Sequence, residues 1–287
     1  MKIGAHVSTA GGVDKAIDRA SNIGAEAVQV FVSSPRGWMF KPLDLETVAV
    51  FKEKSLDNDI NPVVFHGIYL VSLGTENQTN LEKGVDSLIH YMQASEQLDA
   101  LGVIFHAGSH KGRGFEAVFD QAVRTLERVL DQSPNGRYLI LENSAGMGDH
   151  LCSGFDEIGK ILRALESPNL KVCLDTQHVF AAGYAINQQS GLEYMLDEFD
   201  KQIGLENLVA VHANDSKTPM GSSVDRHENI GQGYIGIEGF QVIMSNPAFS
   251  DVPFFLEVPG MKGEGPDKEN LDLLKNIRGN LFGKQLG

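Results

Sequence analysis

Short apolar runs recur along the chain, most ending in a polar residue and giving way to a longer amphipathic stretch. The runs are KIGAHV (2–7), AVQVFV (27–32), PVVFHG (62–67), GVIFHA (102–107), YLILEN (138–143), KVCLDT (171–176), LVAVHA (208–213) and PFFLEV (253–258). Between them, segments such as 79–100, 114–132, 154–166 and 190–203 carry apolar residues at helical spacing. Runs of four to six apolar residues with polar ends suit strands buried on both faces, as in parallel sheets. Eight strand-then-helix units of roughly 36 residues each predict an α/β fold of the (β/α)8 TIM-barrel type. A doubly wound open sheet is the competing architecture, and the count of eight favours the barrel. No Pro/Ser-rich linker or shift in composition marks a boundary, so 1–287 is expected to form a single domain.

The strand ends carry the chemistry. Seven of the eight runs end in His, Asp or Glu: His6, His66, His106, Glu142, Asp175, His212 and Glu257, while Arg36 lies just past the second run. In a barrel these ends meet at the C-terminal rim, where active sites are built. A single such residue would be an ordinary strand cap; seven together predict a site. His178, Asp225 and His227 lie in the segments that follow and are expected to face the same mouth. In VDRHENIGQGYIG (224–236), Asp225 and His227 are two apart, so an extended backbone points both to one side. That suits a metal ion, and equally a plain imidazole–carboxylate hydrogen bond. The glycines that follow read as a tight turn in preference to a phosphate cradle.

A mixture of imidazole and carboxylate suits zinc, or less specifically manganese or iron. Five histidines and four carboxylates exceed what one zinc uses, and three ions with a shared carboxylate would fit. Three divalent ions outweigh four carboxylates, leaving a cationic pocket able to attract phosphate. This matters because the chain as a whole has a formal charge of −14, which argues against a protein coated in positive charge for nucleic acid. Two cysteines, Cys152 and Cys173, are too few for a disulfide framework and read as buried free thiols. With no signal-peptide pattern and no membrane-length apolar stretch, a cytoplasmic location away from membranes is expected.

The segments IGAHVSTAGG, FHAGSH, ILENSAG, CLDTQHVFAAGY, VHANDS, VDRHENIGQGYIG and FLEVPG, in this order from His6 to about Gly260, resemble the signature segments of the endonuclease IV family of apurinic/apyrimidinic (AP) endonucleases. The resemblance implies a trinuclear zinc site. By motif position, His66, His106 and Glu142 would hold one ion, with Glu142 bridging to a second completed by Asp175, His212 and Glu257. His178, Asp225 and His227 would hold the third. It also implies hydrolysis of the phosphodiester 5′ to abasic sites in double-stranded DNA, leaving a 3′-hydroxyl and a 5′-deoxyribose phosphate, by a monomeric enzyme of base excision repair. Glu142 and Glu257 would serve catalysis directly, Glu257 standing beside the nucleophile. Arg36, Tyr69 and Leu70 match positions that enter the duplex at the lesion. Gln177, Gly67 and Ile68 depart from the family's usual residues without removing a ligand. The alternative is a metal-dependent sugar isomerase or epimerase on a similar barrel, which has no use for a third ion or a wedge loop.

Overall fold

The computed structural model describes residues 1–283. Eight parallel strands close into a barrel: β1 (Ile3–His6), β2 (Ala27–Val30), β3 (Val63–His66), β4 (Gly102–His106), β5 (Tyr138–Glu142), β6 (Leu170–Asp175), β7 (Leu208–His212) and β10 (Phe254–Leu256). The last closes the ring by pairing with both β1 and β7. A two-stranded antiparallel ribbon, β8 (Asp215–Ser216) with β9 (His227–Glu228), rises above the rim after β7. Helices α1 (Asp14–Asn22), α2 (Leu45–Asp57), α3 (Gln78–Gln97), α4 (Phe115–Leu130), α5 (Phe155–Leu165), α6 (Thr176–Ala181), α7 (Gln189–Gln202), α8 (Gly236–Ser245) and α9 (Lys268–Gly283) alternate with the strands. None is long and apolar enough to cross a membrane.

All eight predicted strands are present; seven are one to three residues shorter than their apolar runs, and β6 keeps the length of its run but begins one residue earlier. The chain turns out of the ladder where the run still looks strand-like; the Gly67 N–H, one residue past β3, still donates to the Ile104 carbonyl at 2.7 Å. Helix α3 shows the converse at its end. It is started by the Asn77 side chain accepting from the Asn80 N–H, and it buries Leu81, Val85, Leu88 and Met92 at helical spacing. It stops at Gln97, short of the expected residue 100, and Asp99 turns the chain into β4 with a φ of 58°.

Alternation along the strands divides the apolar residues into two cores. Residues facing outward, such as Ile3, Val28, Phe65, Phe105, Leu141, Leu174, Val211 and Leu256, join the helices in one large cluster. Those facing inward, Ala27, Val64, Ile104, Ile140, Cys173, Ala210 and Phe255, form a separate plug inside the barrel. Because side chains repeat their direction every second residue, whatever stands two positions beyond the plug also points inward. Those residues are Gln29, His66, His106, Glu142, Asp175, His212 and Glu257.

Candidate metal centre

The pleat therefore delivers six of the nine sequence-selected ligands as one layer on top of an apolar floor. Two more routes bring the rest. The Asp175 side chain accepts the His178 N–H at 2.9 Å as the N-cap of α6, which holds His178 one helical turn above the strand. The β8–β9 ribbon carries His227 and leaves Asp225 just before it, with Ser216 paired to His227. The ligand-type atoms converge in three groups, each within 4.8 Å: His66, His106 and Glu142; Glu142, Asp175, His212 and Glu257; and Asp175, His178 and His227. Asp225 lies beside the third, its two oxygens 3.4 Å from His178 Nε2 and 3.5 Å from His227 Nε2. Glu142 belongs to two groups, as the motif positions imply. Asp175 also belongs to two, a sharing that the motif reading did not include.

The imidazoles of His66 and His178 are oriented as metal-binding imidazoles usually are, one nitrogen engaged and the other turned inward. His66 Nδ1 lies 2.8 Å from the Gly67 carbonyl and His178 Nδ1 lies 2.8 Å from the Asn143 carbonyl, so each donates there and leaves Nε2 as a lone pair. Buried Nε2 atoms of His178 and His227 have no hydrogen-bond partner. A buried unpartnered nitrogen costs free energy. Two of them beside Asp225 and Asp175 fit a bound cation, and the donor set of nitrogen and oxygen suits a divalent transition metal.

Charge balance points the same way. Burial alone would raise the Glu142 and Glu257 carboxyls, yet the surrounding imidazoles, His212 in both cases, hold them well below the usual carboxylate range. Asp225 is drawn down to about 2 against burial by His178 and His227. Burial works to lower His178 and His212 as well, but Asp175 and Asp225 around the first, and Cys173, Glu257 and Glu142 around the second, raise both well above an ordinary histidine. His106, where burial prevails over Glu142, falls to about 4. In the metal-free protein the carboxylates thus favour the charged form of His178 and His212, where a cation would otherwise balance them.

Gln29 escaped the sequence reading, whereas the sequence left open whether Asn214 and Asp215 in VHANDS orient ligands, meet phosphate or cap the loop. Gln29 is fully buried in the same layer, and the only hint of it is a lone polar residue inside an apolar run. Asn214 donates to Asp175 Oδ2 at 2.7 Å and accepts the Glu257 N–H at 2.8 Å, tying two strand ends together. Asp215 gathers the backbone N–H groups of Gly231, Gly233, Ile235 and Gly236 at 2.9–3.3 Å. The GQG turn thus spends its amides on a carboxylate, which settles its reading as a turn. A Cβ on Gly233 would stand 2.4 Å from Asp215 Oδ1, so only glycine permits this wrap. His150 lines a cavity of about 220 Å³ with Tyr69, His106, His178 and Asp225.

At the mouth, Tyr69 is 54% exposed and Leu70 37%, although both are large and apolar or aromatic. The Tyr69 ring lies 5.8 Å from that of His66 and 6.3 Å from that of His106, directly over the first ligand group. Burial and the nearby Glu257 and Glu142 push its phenol up to about 12, so it stays neutral. The Tyr69 N–H donates to the Pro35 carbonyl at 3.0 Å, which sets exposed Arg36 beside it.

A parallel eight-stranded barrel with clustered imidazole and carboxylate at its C-terminal mouth defines a metal-dependent barrel enzyme. A family profile described as xylose isomerase-like TIM barrel matches residues 17–277. The chain is 39% identical to the probable endonuclease 4 of Halothermothrix orenii over 276 residues, 96% of this chain and 99% of that protein. The crystal structure of endonuclease IV from Thermus thermophilus superposes with a TM-score of 0.86 at 32% identity, covering 98% of this chain and 100% of that one. A D-tagatose 3-epimerase-like protein shares the barrel (TM-score 0.75, 99% of each chain) at 17% identity, which speaks for the fold alone. The chain belongs to the endonuclease IV family, and by that membership it is a phosphodiester-cleaving hydrolase.

Proposed function

We propose that this enzyme cuts double-stranded DNA on the 5′ side of abasic sites, using three zinc ions held by the nine rim residues. The observation that carries the reading is the convergence of three ligand groups at one mouth in a chain of this family. His66, His106 and Glu142 would hold the first ion. Glu142, Asp175, His212 and Glu257 would hold the second, and His178, Asp225 and His227 the third, with Asp175 also within reach of it. Bound divalent ions supply an activated water near neutral pH and stabilise the charge of an in-line phosphoryl displacement.

The protein's own groups do the rest. Glu142 and Glu257 are carboxylates held ionised by neighbouring imidazoles, so Glu257 can orient the attacking water and accept its proton. The plug beneath closes the barrel, leaving the rim as the way in for substrate. Tyr69 and Leu70 would fill the gap left by an extruded abasic nucleotide, whose flipping costs least because it has no base to unpair. Arg36, Lys41, Lys111, Arg226 and Lys262 are exposed on loops that follow strands, giving the rim local positive charge within an acidic protein acting in the cytoplasm as a monomer.

The test is a metal analysis joined to an incision assay. About three equivalents of zinc per chain, and cleavage of an abasic duplex to a 3′ end that a polymerase extends, are expected. One or two equivalents of magnesium or manganese, with no incision, would overturn the proposal and favour a sugar isomerase.

A further inference from the structure

Gln29 is the single member of the inward layer that can neither ligate strongly nor carry charge, and it is fully buried among groups that do both. Its Oε1 lies 2.8 Å from His212 Nε2, and its Nε2 lies 2.6 Å from Glu257 Oε1 and 2.9 Å from His6 Nδ1. His212 Nδ1, the other ring nitrogen, faces Glu142 Oε1 at 3.1 Å and Glu257 Oε2 at 3.4 Å. An amide is the side-chain group that presents an acceptor to one neighbour and a donor to another at a fixed separation.

From this geometry we infer that Gln29 is a positioning residue for the metal centre, acting through His212 and Glu257. Its carbonyl accepts the His212 Nε2–H, fixing the tautomer that leaves Nδ1 free for an ion. Its amide N–H holds Glu257 Oε1, turning Oε2 toward the cluster. Without the acceptor, the His212 proton gains nothing by remaining on Nε2, and a shift to Nδ1 would block the ligand atom. Without the donor, Glu257 Oε1 keeps only His6 Nδ1, 3.1 Å away, and both its grip on the ion and its aim at the water loosen. The inference rests on the metal-centre reading above.

Two variants separate these halves. Gln29→Leu removes acceptor and donor at similar volume, and Gln29→Glu keeps the acceptor facing His212 while setting a second carboxylate oxygen against Glu257 Oε1 in place of the donor. Zinc affinity is measured by competition with a chromophoric chelator, alongside kcat and KM on an abasic duplex and the melting temperature of the metal-free protein. Gln29→Leu is expected to weaken zinc binding about tenfold or more, the scale usual for groups that orient metal ligands, beyond what any lowering of the metal-free melting accounts for. Gln29→Glu is expected to retain zinc within about threefold of wild type while kcat falls about tenfold at constant KM. Zinc affinity of Gln29→Leu within about threefold of wild type overturns the inference, as does a loss that merely follows lowered melting of the metal-free form. Should Gln29→Leu not fold, wild-type kcat in Gln29→Glu overturns it. Absence of zinc uptake by the wild-type protein would instead bring down the metal-centre reading, and this inference with it.

Discussion

Two layers of the same barrel, only two residues apart along each strand, follow opposite physical rules. The lower layer, from Ala27 and Val64 to Phe255, is apolar, satisfied by packing, and complete as it stands. The upper layer is polar, buried and internally unbalanced, with carboxylates and imidazoles held at 3.1–3.8 Å and nitrogens left without partners. The lower layer stabilises the fold through area removed from water. The upper layer gives up stability to hold charge where an ion and a phosphate can use it. Removal of a side chain should therefore mean different things on either side of this boundary.

The largest effect is expected in the upper layer. Glu142→Gln keeps the shape but removes a carboxylate shared by two ligand groups. Incision should slow about 10³-fold, equivalent to ~4 kcal/mol of barrier, with bound metal reduced. Near-normal turnover with full metal content would contradict the sharing.

One layer down, Ile140→Ala should destabilise the protein by about 3 kcal/mol through the cavity it opens. Denaturant unfolding measures that loss, and zinc stoichiometry in the folded variant should match wild type. Loss of zinc without loss of stability would erase the distinction between the layers.

The rim sits above both layers, and its contribution is smaller. Tyr69→Ala with Leu70→Ala should weaken binding to an abasic duplex by ~1–3 kcal/mol while zinc content stays normal. A gapped abasic substrate, which needs no unstacking, should suffer less. Equal losses on both substrates with a lowered melting temperature would show that these side chains only pack on the barrel.

The mildest test varies pH. His178 and His212 are raised above the ordinary imidazole value, so at neutral pH an ion must expel their protons to bind. Zinc affinity of the metal-free protein should rise with pH up to those elevated values, by about 1.4 kcal/mol per proton released for each pH unit. Calorimetry in two buffers of different ionisation enthalpy counts the protons, and zero release would contradict the raised values. For the metal-free protein alone, the sign is opposite. Groups raised on folding contribute stability that is full below about pH 6.5 and lost as pH climbs through their folded values.

The two layers also differed in how legible they were. Residues such as His106 and Asp175 were legible as a set, because one ionisable residue after an apolar run reads as a strand cap and seven at one rim do not. Gln29 did not, since one neutral amide in a strand reads as ordinary, and its partners His212 and Glu257 lie far away in sequence. Asp215 was ambiguous for a related reason. A loop Asp reads as a cap, and nothing in the chain's order reveals that four amides from the turn after β9 fold back onto it. The eight strands were legible from their runs, but their ends were not, because leaving a ladder depends on neighbours in the sheet.

The hydrogen bond from the Tyr69 N–H to the Pro35 carbonyl makes one unit of two loops that belong to different strands. For anyone transplanting this rim onto another barrel, residues 31–44 and 67–77 are accordingly a single cassette. Moved alone, the second loop would arrive without the strut that sets the height of its tyrosine, and the first would keep its Ser34–Gly37 turn but lose the tyrosine that Arg36 stands beside.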